Sequence, residues 1–193
     1  SNSNFILNNW GLNLLGVSRH HLDKIILVPF LGLTVMGNYA LALQFWAVLV
    51  VFSGIFFKYI LTYDSTGIAN KKLKIIAILC SIGLAISGII IPPIIVPIFF
   101  EKFTESIIAI QIISLGIIPG TFSLFYQSKF LGLERSRYLI KDAILFAASL
   151  IVGIIVLGTW YNILGVASAH VISQMLSLGF LYYMNKKMEK ENE

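Results

Sequence analysis

Arg19, His20, Asp23 and Lys24 fall within six consecutive positions of an apolar run, FILNNWGLNLLGVSRHHLDKIILVPFLGL, at residues 5–33. An Arg, Lys or Asp at mid-bilayer costs roughly 2.5 to 3.5 kcal/mol, so such residues face a bundle interior or a wet cavity rather than lipid. Helical spacing makes the group coherent. Arg19 and Asp23 are i,i+4, as are His20 and Lys24, and Asn13, Val17, His20 and Lys24 follow one stripe. The chemistry such a stripe offers is anion binding by charge-assisted hydrogen bonds, along the wall of a translocation path. The competing reading is structural: Arg19 and Asp23 neutralise each other and only hold the helix to its neighbours.

Other polar side chains interrupt later apolar runs. Gln44, Gln111 and the i,i+4 pair His170 and Gln174 are candidates for the same polar face, His170 and Gln174 also reading as an interhelical hydrogen bond. His20, His21 and His170 lack a Cys or carboxylate at a metal-ligand interval, so no metal or cofactor is expected. Nor is there a base with a nucleophile or a paired-carboxylate motif, and no catalytic residue is assigned.

The elements that position these residues are long and apolar. Hydrophobic residues make up 58% of the 193 residues and charged ones 12%, far below the quarter usual in soluble domains. The mean hydropathy is +0.87, that of an integral membrane protein. The net charge of +5 does not imply nucleic acid, because the cations sit between apolar runs instead of forming one basic face. Cys80, the single cysteine, excludes an intramolecular disulfide. The start, SNSNFILNN, has neither a basic n-region nor a small-residue cleavage site and is not read as a signal peptide.

Six spans are expected, at about 5–33, 39–61, 73–98, 106–128, 138–157 and 163–185, followed by a charged tail at 186–193. A Gly-bearing turn is expected at 31–38, proline breaks at Pro92, Pro93 and Pro97, a charged hairpin at 101–105, a kink at 116–120, a basic loop at 129–137 and a tight turn at 158–162. Small residues, among them Gly83, Gly88, Ala148, Gly153, Gly165 and Ala169, suit close helix packing. Alternate connections carry Lys58, Lys71, Lys72, Lys74, Lys129, Arg135, Arg137, Lys141, Lys186, Lys187 and Lys190, whereas the opposite ones carry Lys102 alone. By the positive-inside rule the basic loops and both termini are cytoplasmic, in a multi-pass protein of the cell membrane.

Three stretches carry a resemblance. The run DKIILVPFLGLTVMGNYALA at 23–42 is similar to the acidic residue, apolar stretch and Leu-Gly, Gly-x-Tyr turn of polysaccharide flippases. These belong to the multidrug, oligosaccharidyl-lipid and polysaccharide exporter superfamily. LGLERSRY at 131–138 resembles the basic loop after a lobe's fourth helix, and WYNILGVASAHVISQ at 160–174 resembles the start of a lobe's last helix. The resemblance implies an all-α membrane fold with two six-helix lobes, of which this chain looks like the C-terminal one, pairing with an N-terminal lobe or a second copy. It also implies alternating access, with a lipid-linked anionic oligosaccharide as substrate and membrane lipid around its tail.

Three other readings compete. A drug or small-cation exporter lobe of the same superfamily would favour carboxylates, for which Asp23 and Asp142 are the candidates against Arg19, Lys24 and Lys141. A non-transporting assembly subunit would need the charges only for packing. A membrane-embedded transferase lacks the residue pairs its chemistry requires, so the chain is not read as an enzyme.

Overall fold

The computed structural model describes the backbone of residues 2–65 and 71–191 and the side chains of residues 29–62 and 71–190. Every regular element among them is helical. In order these are α1 (Asn2–Ser65), α2 (Lys71–Ile90), α3 (Pro92–Phe99), a 3-10 turn (Glu101–Phe103), α4 (Ser106–Leu115), α5 (Ile117–Gly132), α6 (Ser136–Gly153), a π-helical turn (Ile154–Gly158) and α7 (Thr159–Glu191).

Among the described residues four helical stretches are long and apolar enough to cross a membrane: Pro29–Thr62, Lys71–Ile90, Ser106–Gly132 and Ser136–Lys190. Helices suit that setting because they satisfy every backbone polar group within the segment. Their outer faces are greasy, with Val48, Leu79, Ile94 and Val152 each about 60% exposed or more. Over its described residues the chain is a helical membrane protein.

The breaks are tighter than the sequence predicts. In place of a turn over 31–38, α1 departs from helical geometry only at Gly32 (φ 82, ψ 171). That φ is strained for an L side chain, and Pro29, three residues earlier, has already removed one backbone donor. Helix resumes at once, so Asn38, expected at a turn's end, is buried with Tyr39 in a helix wall. The proline break narrows to Ile91, because Pro92 and Pro93 suit the first turn of a new helix, where no N–H is needed. The expected 129–137 loop shrinks to Leu133, Glu134 and Arg135, with Glu134 in the left-handed region (φ 57). The expected tail at 186–193 is helical through Glu191.

Ser136–Lys190 covers 55 residues, which as one rod would be about 80 Å long, against about 30 Å of hydrocarbon. It folds back instead. Where a turn is expected at 158–162, the π-helical turn ends at Gly158 and the backbone leaves helical geometry at one residue, Asn162 (φ 49, ψ −130). Beyond it α7 packs antiparallel to α6: Gly153 lies against Ala169, Phe146 against His170 and Asp142 against Ser177.

The core joins α1, α4, α5, α6 and α7 through Tyr39, Trp46, Ile110, Ile113, Ile117, Phe146, Leu150 and Val166. A smaller cluster of Phe130, Leu139, Leu181 and Met188 closes the end that carries the cations. There Lys129 on α5 pairs with Glu189 on α7 at 2.9 Å. Small residues pack as expected at Gly88, which seats Ser114 of α4, and at Gly153. Gly83 and Ala148 instead face outward.

Candidate functional site

A half-open cavity of about 260 Å³ lies between α1, α5, α6 and α7. Helical spacing builds its polar wall. His170, Gln174 and Ser177 are i, i+4 and i+7 on α7, so they stack along one face. From α5 come Thr121, Ser123 and Gln127, and from α1 comes Ser53. Trp46, Val50, Phe146 and Leu150 supply the apolar remainder.

The polar groups differ in what they have left to offer. Thr121 Oγ1 donates to the Ile117 carbonyl at 2.9 Å and Ser123 Oγ to that of Pro119 at 3.0 Å. With their protons committed to the helix backbone, both hydroxyls can only accept from a ligand. Ser177 Oγ donates to Asp142 Oδ1 at 2.6 Å, and Asp142 is 2% exposed, so the carboxylate stands behind the wall. The His170 ring is fixed edge-on between Trp46 (centroids 5.3 Å apart) and Phe146 (5.8 Å). Gln127 and Gln174 line the cavity with amides that make no hydrogen bond among the described residues. Each has two donors and an acceptor free, which suits a polar uncharged group such as a hydroxyl-bearing ring.

Of the sequence-predicted site residues, His170 and Gln174 meet in this cavity. Gln44 does not. It lies in an apolar groove of about 350 Å³ with Phe45, Val48, Ser87, Ile91, Pro92 and Phe100. Gln111 Nε2 donates to the Ile89 carbonyl at 2.9 Å, tying α4 to the free C-terminal carbonyls of α2. Its amide is used in packing. Asn13, Arg19, His20, Asp23 and Lys24 lie outside the residues whose side chains are described.

The sequence reading left Thr121, Gln127 and Ser177 out of its site. For Ser177 a signal existed, since it continues the His170 and Gln174 stripe by three residues. Asp142 entered only as an exporter candidate, with nothing in the sequence to join it to Ser177. Among the described residues no group of three His, Cys, Asp or Glu side chains is placed to hold a metal.

Comparison with protein-family models, curated proteins and solved structures matches none of them to this chain.

Proposed function

We propose that the chain is a six-helix lobe of a membrane transporter, moving the polar headgroup of a lipid-linked oligosaccharide past the α7 stripe by alternating access with a second lobe. The observation that carries this reading is the half-open cavity with a polar wall from α5 and α7. A packing site would close such a space, and polar side chains at membrane depth are tolerated where they line a cavity. In this reading Gly32 divides α1 into two spans, α2 with α3 and α4 with α5 form one each, and the reversal at Asn162 separates the last two. The basic end is cytoplasmic. Arg19 and Lys24, on the first span, supply the charge that a diphosphate or acidic sugar requires.

One observation favours the second reading, an exporter lobe for a drug or small cation: the Asp142 carboxylate lies one hydroxyl away from the cavity. Both readings are tested by expressing the chain with a candidate N-terminal lobe in a flippase-deficient strain and measuring lipid-linked sugar on the outer leaflet. Restored translocation that Lys24→Gln abolishes supports the flippase. Drug resistance without sugar translocation supports the exporter, and neither activity with a stably inserted pair refutes transport.

A further inference from the structure

The outward face of α6 changes character along its length. Ile144 (56% exposed) and Val152 (60%) share one face with the exposed Ala148, and towards the helix start the same face continues through Lys141 and Arg137. The spacing of 137, 141, 144, 148 and 152 keeps all five within one narrow stripe. Lys141 to Val152 is about 16 Å along the axis, close to half the hydrocarbon thickness. The stripe from its inner cation to Val152 is therefore about one leaflet long, with two cations at its head.

Those cations are uncompensated. Arg137 and Lys141 are i,i+4, a spacing at which like charges repel, and neither makes an ion pair among the described residues. Lys129, by contrast, has Glu189. Glu134, the nearest exposed acid in sequence, stands in the left-handed turn before the helix and bridges neither.

We propose that this face of α6 is a docking surface for an anionic phospholipid, its phosphate held by Arg137 and Lys141 and an acyl chain laid along Ile144, Ala148 and Val152. The occupant follows from charge complementarity at the head of a stripe of about leaflet length whose remainder is apolar. An amphipathic protein helix would need acidic residues at that end, whereas every anionic phospholipid of the leaflet brings its phosphate at the right depth. The surface is separate from the cavity and does not depend on what the cavity carries.

The test is lipid retention by the purified full chain in detergent. Native mass spectrometry would count phosphatidylglycerol and phosphatidylcholine bound from an equimolar mixture, and thermal unfolding would follow each lipid added alone. The wild-type chain should prefer phosphatidylglycerol. The double variant Arg137→Gln with Lys141→Gln should weaken that preference roughly 30-fold, whereas Arg137→Lys should keep it and Lys186→Gln with Lys187→Gln should change it little. Equal retention of the two lipids by the wild type would overturn the proposal, as would undiminished preference in the double variant. Stabilisation by inorganic phosphate alone would also overturn it, since the acyl stripe would then play no part. If the double variant does not fold, loss of the wild-type preference in 0.5 M salt, expected for an exposed charge contact, is the deciding measurement, and an unchanged preference refutes the proposal.

Discussion

The inner cavity and the outer groove hold about 260 and 350 Å³, and they share no lining residue. The cavity sets His170, Gln174, Gln127 and Ser177 around an aromatic pair. The groove holds Gln44 and Ser87 among Leu41, Phe45, Val48 and Ile91. What separates them is the direction in which a helix is turned. Polar residues that stack along α7 face into the bundle, and the isolated Gln44 faces out.

Paired substitutions can break that contrast. The largest effect is expected in the apolar wall: Trp46→Ala should lower stability in detergent by about 3 to 5 kcal/mol, and Val48→Ala in the groove by under about 0.5 kcal/mol. Equal losses in chemical unfolding would mean that the groove is packed like the cavity. Next comes Ser177→Ala, which removes the hydroxyl that donates to the buried Asp142 carboxylate and should cost about 1 to 3 kcal/mol. Its partner Ser87→Ala removes only a hydroxyl that donates to the Leu84 carbonyl of its own helix at 2.8 Å, and should leave the unfolding midpoint nearly unchanged. The smallest effect concerns transport: Gln174→Leu should reduce it about tenfold, the worth of one hydrogen bond, with Gln44→Leu within about twofold of wild type. A transport assay in which Gln44→Leu is the more damaging would move the path to the groove.

Helix type and approximate ends are legible in the sequence because a bilayer leaves the backbone no alternative across an apolar run. Helix azimuth is much less so. In a soluble protein the apolar side of a helix faces the core, but here lipid and core are equally apolar, so the greasy residues around Gln44 and around Gln174 look alike. His170 and Gln174 could be placed because they repeat along one face, which Gln44 and Gln111 do not. The turns were overestimated for a related reason. Gly32 alone absorbs a kink for which composition suggests a turn of eight residues, and the reversal before α7 leaves helical geometry only at Asn162, beyond the π-helical turn.

The reversal at Asn162 has a consequence for the order in which the molecule assembles. Asp142 and Ser177 are 35 residues apart in the chain, yet they are hydrogen-bonded, because only the π-helical turn joins α6 to α7. Gly165 presses against the Leu157 carbonyl so closely that a side chain there would collide with backbone. Closing so short a loop forfeits little entropy, and local contacts form faster than distant ones. The α6–α7 pair can therefore close as soon as both helices have been synthesised, and it then presents a finished surface, with the His170 stripe already set, on which α1, α4 and α5 complete the bundle.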